Sequence, residues 1–126
     1  MAVALEVFDA AVAGSSDYLA IGAEVGGALA GWICWGPTPC TVGTWDLYWM
    51  AVDPAHHGTG VGTALLAEME RRLAGHARLV VIETAGRPDY APTRAFYEAR
   101  GYLVAARIPD FYAAGDDLVV YTKRLG

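Results

Sequence analysis

The apolar positions change their spacing several times along the chain, and each change marks an element. Val3, Val7, Phe8, Ala11 and Val12 recur at helical spacing, and Gly14-Ser15-Ser16-Asp17 ends the run, which predicts a helix over about residues 2 to 13. Tyr18 to Val25 and Ala28 to Trp35 read as two antiparallel strands joined by a hairpin turn at Gly26-Gly27. Gly36-Pro37-Thr38-Pro39 should break the second strand, since proline cannot donate to a ladder. Trp45 to Val52 is aromatic, β-branched and apolar on both faces, the pattern of a central strand that Asp53-Pro54 closes.

From Gly60 the period becomes helical, with Val61, Leu65, Leu66, Met69 and Leu73 on one face and Glu68, Glu70, Arg71 and Arg72 on the other. Gly75 closes that helix. Leu79 to Thr84 predicts a short buried strand, and Pro92 to Arg100 a short helix ended by Gly101. Tyr102 to Ile108 and Leu118 to Lys123 predict two more strands around an acidic loop. The expected order is α-β-β-β-α-β-α-β-β, an α/β (α+β) fold with a mixed sheet, in one domain over residues 1–126.

Composition narrows the class. The chain has 126 residues, 55% hydrophobic and 18% charged, enough for one packed core and too apolar for disorder. No run approaches the roughly 18 apolar residues that span a bilayer. The N-terminus has no basic stretch and carries Glu6 early, so no signal peptide is expected and the cytoplasm is the default. A net charge of −5, with Lys123 the single lysine, argues against nucleic acid as a partner. The same charge favours cationic ligands or simply keeps the surface soluble. Cys34 and Cys40 form no metal or redox spacing and read as reduced thiols. His56, His57 and His76 do not fall with acids at ligand spacing, so no metal is expected. Ser15 and Ser16 are the only serines and lie in no nucleophile elbow, which disfavours a serine hydrolase.

Candidate chemistry sits at the start of the longer helix. His57-Gly58-Thr59-Gly60-Val61-Gly62-Thr63 carries glycines at alternate positions. Such a backbone can reach positive φ and gather several N–H groups on one point, where the helix start adds unpaired donors and partial positive charge. Phosphate oxygens fit that environment without a lysine. A P-loop would need a lysine, which is missing, and a Rossmann turn would need glycine at Thr63 and a direct strand-to-turn junction. A glycine-rich turn that binds nothing stays open on these residues alone.

The surroundings add to this. The run from Trp45-Asp46-Leu47-Tyr48-Trp49-Met50-Ala51-Val52-Asp53-Pro54 through the glycines to Ala64-Leu65-Leu66 resembles the core motif of the GNAT acetyltransferases. Arg94-Ala95-Phe96-Tyr97-Glu98-Ala99-Arg100-Gly101-Tyr102 resembles that family's second motif, in the right order, and the resemblance spans about residues 2 to 125. His57 departs from the usual Gln or Arg, and Tyr90 stands where an Asn often contacts the cofactor. The family also begins with one more strand and helix. Their absence implies an uncovered sheet edge, which either a second subunit covers or an upstream true start would supply, and a homodimer is expected.

The resemblance implies a mostly antiparallel sheet flanked by helices, with strands splayed where acetyl-CoA binds. It implies that backbone groups of Met50, Ala51 and Val52 pair with the pantetheine arm. The diphosphate would lie on the turn at His57, Gly58, Thr59, Gly60, Val61, Gly62 and Thr63. Tyr97 aligns with the tyrosine that protonates the leaving thiolate, or is a packed aromatic like Phe96. Asp46 stands where some members carry a catalytic base. With period two it would share a face with Tyr48 and Met50, or it merely satisfies a strand start; Glu83 is a second base candidate. Trp35, Tyr48 and Tyr112 are candidates for the acceptor wall, and Asp110, Asp116 and Asp117 either attract an ammonium or form a solvated turn. The implied reaction is acetyl transfer to the primary amine of a small molecule or amino acid. Transfer to a protein N-terminus or lysine, and a non-catalytic acyl-CoA-binding module, are the alternatives.

Overall fold

The computed structural model describes the backbone of residues 5–10 and all of residues 19–126. Seven strands form one sheet in the order β1-β2-β3-β4-β5-β7-β6: β1 (Leu5–Ala10), β2 (Leu19–Val25), β3 (Ala28–Pro37), β4 (Thr44–Val52), β5 (Leu79–Ala85), β6 (Leu103–Ala113) and β7 (Asp116–Arg124). Two helices, α1 (Val61–Leu73) and α2 (Ala91–Ala99), cross between β4 and β5 and between β5 and β6. Every neighbouring pair is antiparallel except β4–β5. The sheet is therefore mixed and mostly antiparallel, as expected.

The first element corrects the sequence reading. Residues 5–10 form a strand paired antiparallel with β2, from Leu5↔Val25 to Ala10↔Ala20, not a helix. A run this short fits both periods, and the non-local partner β2 decides between them. Val3, Ala11 and Val12 lie outside the described residues. At the predicted hairpin, Gly26 and Gly27 take φ of 61° and 82°, the backbone that a two-residue turn between twisted strands requires.

α1 buries Val61, Leu65, Leu66, Met69 and Leu73 against Ile21, Ile33 and Trp35 of the sheet. The helix can lie this close because residue 31 has no side chain. A Cβ on Gly31 would stand 2.7 Å from the Ala51 carbonyl oxygen and 3.2 Å from both Val61 Cγ1 and Leu65 Cδ1. α2 lies beside α1 on the same face, where Phe96 packs over Gly62. Partly buried polar contacts tie both helices to β7 and to the residue that leads into β6: Tyr102 Oη donates to Glu70 (2.9 Å), Lys123 Nζ pairs with Glu70 (2.8 Å), and Tyr121 Oη donates to Glu98 (2.6 Å).

β3 runs on to Pro37 rather than ending at Trp35, with its proline at the last strand position. The acidic segment is also more ordered than a loop. β6 and β7 extend to Ala113 and Asp116 around a tight turn, with a register shift between Ile108 and Ala113 where Asp110 takes φ 57°. Cys34 and Cys40 are free thiols. Among the described residues no helix is long and apolar enough to cross a membrane, and no three or more His, Cys, Asp or Glu side chains cluster as a metal site would need.

Candidate active site

The site begins with a fault in β4. Cys34 pairs with Trp49 and Trp35 with Leu47, so the register shifts by one residue at Tyr48, a bulge in β4. β4 also pairs with β5 only from Thr44↔Leu79 to Leu47↔Ile82. Beyond that point the two parallel strands part, β5 staying with β7 as far as Ala85↔Leu118. Residues 48–52 of β4 thus face an open gap.

Which main-chain groups face it follows from the ladder. The Asp53 amide donates to the Ala30 carbonyl (2.7 Å), so Ala30–Asp53 is a hydrogen-bonded pair, and by alternation so is Trp32–Ala51. The amide and carbonyl of Ala51 turn toward β3. Those of Met50 and Val52 turn into the gap. Of the three residues expected to hold the pantetheine arm, Met50 and Val52 present polar groups there and Ala51 does not.

At the upper end of the gap the glycine turn behaves as an open cradle. Asp53 accepts the Ala55 amide (2.9 Å) and starts a single 3-10 turn, Pro54–His56. Gly58 and Gly60 have φ of 78° and 91°, and a Cβ built on either meets nothing within 4 Å. Gly60 caps α1 in the left-handed conformation. The amides of Gly60, Val61, Gly62 and Thr63 precede the first intrahelical bond, Ala64 N–H to Gly60 O (2.9 Å), and have no partner within the helix. Two members of the predicted set act otherwise. The Thr59 amide closes the turn on the His56 carbonyl, and the His57 amide bonds Pro54 O (3.3 Å) while its ring Nε2 lies 2.9 Å from the Val52 carbonyl oxygen.

Two clefts meet at the gap. One, of about 560 Å³, is lined by Val52, His57, Gly58, Gly60, Gly62 and Thr63 together with Phe96 and Arg100 of α2. The other, of about 430 Å³, is lined by Tyr48, Trp49, Glu83, Arg87, Tyr112 and Asp116 among others. Met50, Thr93 and Tyr97 line both. Tyr97 is 5% exposed, packed edge-on against Phe96 and Tyr102, and burial pushes its phenol up to about 12. Its hydroxyl therefore keeps its proton at any physiological pH.

The base candidates separate. Glu83 lines the second cleft, and alternation puts it on the sheet face away from the buried Ile82. Asp46 lines neither cleft. The bulge is the reason. It breaks the period of two, so that Leu47 and Met50 share the core face, opposite Trp35 and Ile33, and Asp46 falls on the other face with Trp49. The expected common face of Asp46, Tyr48 and Met50 does not exist. Trp35 is corrected too, because it is wholly buried in the core and lines neither cleft. Tyr48 and Tyr112 do line the second cleft, both about half exposed.

The three acids near the β6–β7 turn divide in the same way. Asp117 accepts the Asp110 amide (3.0 Å) and pairs with Arg107 (2.8 Å), and these contacts lower its pKa. Asp110 Oδ1 accepts the Gly115 amide (2.7 Å). Both hold the turn. Asp116 lines the cleft, 3.7 Å from the Arg87 guanidinium, with its Oδ1 buried and without a hydrogen-bond partner. Burial, then the charges of Glu83 and Asp116, raise the Tyr112 phenol, so the two carboxylates act on one space.

Sequence reasoning missed Thr93, Arg87 and Arg100. A signal for two of them existed: Thr93, Phe96, Tyr97 and Arg100 follow i, i+3, i+4, i+7 spacing, one face of α2.

Residues 3–102 match the sequence model of the acetyltransferase (GNAT) family. A protein from Desulfovibrio desulfuricans described as a GNAT-family acetyltransferase is 43% identical, with 87% of this chain and 70% of that chain covered and a TM-score of 0.83. The ribosomal-protein-S18-alanine N-acetyltransferase from Escherichia coli shares the fold at 20% identity, covering 90% and 72% of the two chains with a TM-score of 0.78. An aminoglycoside 6'-N-acetyltransferase complexed with coenzyme A does so at 18% identity, covering 88% and 74%, with a TM-score of 0.76. No curated protein sequence matches the chain.

Proposed function

The chain belongs to the acetyltransferase (GNAT) family, and from that premise we propose that it carries an acetyl group from acetyl-CoA to the primary amine of a small molecule or amino acid. The residues present fit the donor. The cradle at Gly58 and Gly60 is open where a side chain would obstruct it, and the gap offers the Met50 and Val52 main chain. When bound, acetyl-CoA supplies an acetyl group activated as a thioester.

This chain's own groups do the rest. The amides of Gly60 to Thr63 receive phosphate oxygens at the positive end of α1. The Met50 and Val52 main chain would hold the pantetheine arm, and the Val52 N–H would serve the thioester oxygen. Tyr97 offers a phenol that rests protonated at working pH, placed to pass its proton to the leaving sulfur and to regain one from the amine. Glu83 accepts that proton of the attacking amine through water, on its way to Tyr97. Glu83 and the walls Trp49 and Tyr112 favour an acceptor that brings positive charge, Arg87 already engaging Asp116 and the Tyr90 ring.

One observation carries the reading: Tyr97 lines both the donor groove and the acceptor cleft, so the two meet at a proton donor. A cleft of about 430 Å³ suits a small amine. Free-thiol release from acetyl-CoA across a panel of small amines, amino acids and peptides tests it. Small cationic amines should release thiol fastest. Release only with peptides, or with none, would contradict the proposal.

We assign the protein to the cytoplasm and to a homodimer. β6 supports the latter, being an edge strand that leaves Leu103, Val104, Ile108 and Phe111 exposed.

A further inference from the structure

We propose that Arg100 is a phosphate-binding residue of the donor groove, the cationic arm of a cradle that has no lysine. The inference rests on the acetyl-CoA reading and adds to it a charged contact from the second helix. Arg100 lines the groove opposite the start of α1. Its guanidinium lies over the Phe96 ring, 3.7 Å from the centroid, donates from Nη1 to the Phe96 carbonyl (2.9 Å) and from Nη2 to the Thr63 hydroxyl. Nε is enclosed and finds no acceptor.

Three features point to an anion. Arg71 and Arg72 pair with Glu68, Arg87 with Asp89 and Asp116, Arg107 with Asp117, and Lys123 with Glu70. Among the described residues Arg78, Arg94, Arg100 and Arg124 make no such ion pair, and of these four only Arg100 lines a cleft, where it is half-buried with its charge answered by no carboxylate. A guanidinium has five N–H donors, and two are engaged here, both with groups that only hold it in place. The hydroxyl that anchors it belongs to Thr63, whose own amide is one of the free donors of α1. The fork is thus fixed beside the positive end of that helix, an arrangement of like-signed potential that becomes favourable when a phosphate enters. The aromatic face preorganises the side chain, so little rotamer freedom is lost on binding.

The phosphate chemistry has two sources on one ligand, the diphosphate and the 3'-phosphate of coenzyme A. Isothermal titration of wild type, Arg100→Gln and Arg100→Lys with CoA, dephospho-CoA and pantetheine separates them and needs no acceptor. Arg100→Gln should weaken CoA at least tenfold and leave pantetheine, which lacks both phosphates, unchanged. A penalty kept with dephospho-CoA assigns the contact to the diphosphate, and a penalty lost assigns it to the 3'-phosphate. Arg100→Lys, which keeps charge without the fork, should fall between wild type and Gln. Unchanged CoA affinity in Arg100→Gln would overturn the proposal, and so would an equal loss for pantetheine, which marks a purely structural role. If Gln fails to fold, wild-type affinity in the Lys variant that does not fall with added salt would overturn it. Wild type that binds no CoA at all would instead remove the donor reading itself.

Discussion

Tyr97 is placed to serve both packing and the proposed chemistry. It sits among Phe96, Tyr102 and Tyr121 with ring centroids 5.6 to 6.2 Å away, yet it reaches both clefts. Removing only its hydroxyl keeps the packing. Tyr97→Phe is expected to lower kcat about 100-fold with KM for acetyl-CoA little changed, read by thiol release with an accepted amine. An unchanged rate would make the residue a packed aromatic and nothing more. The same burial has a thermodynamic signature. The folded phenol, pushed up to about 12, holds its proton where the unfolded chain, near the ordinary value of 10, has lost it. Its stabilising contribution is full below about pH 10 and disappears as pH rises toward 12. Denaturant unfolding across that window should be less pH-dependent in the Phe variant. Tyr97 was readable from its motif. Asp46 was misplaced, because its expected face relied on unbroken alternation and nothing in Leu47-Tyr48-Trp49 announces a bulge.

The elements were legible wherever local pattern and local partners coincide. α1 follows its apolar stripe from Val61 to Leu73, and β4 its two-sided apolar run. The first strand was not, since Leu5 to Ala10 is defined by its ladder to β2 rather than by its own period. The parting of β4 from β5 beyond Leu47↔Ile82 was legible only through the motif resemblance, since no residue pattern in either strand announces where the ladder ends. Close packing of α1 on β3 depends on Gly31, an unremarkable glycine in the sequence. Gly31→Ala drives a Cβ into the Ala51 carbonyl and the Val61 and Leu65 side chains, and should cost about 1–3 kcal/mol by denaturant unfolding. Because Ala51 belongs to the strand that flanks the gap, the strain is expected to weaken CoA binding as well. A variant as stable as wild type would show that β3 and α1 are not held by that contact.

At the scale of the molecule, two clefts of different chemistry are joined across one sheet. One cleft gathers free amides and an arginine, while the other gathers Glu83, Asp116, Arg87 and aromatic rings. Composition hinted at this only as a net charge of −5. Charge alone could not say that Asp110 and Asp117 hold a turn while Asp116 faces the cleft, since that sorting depends on Arg107 and the Gly115 amide. The exposed apolar edge on β6 belongs to this scale too. Light scattering is expected to give twice the chain mass, and a fully active monomer would rule the dimer out.

The proposed chemistry rests on amides, freed by a glycine turn and a parted strand, holding the donor. Calorimetry with CoA on folded wild type and on Gly60→Val tests this most directly, because valine cannot easily hold the φ of 91° that opens the turn. Wild type should bind one CoA per chain and the variant at least tenfold more weakly. No heat from folded wild type, or equal affinity in the two proteins, would contradict it.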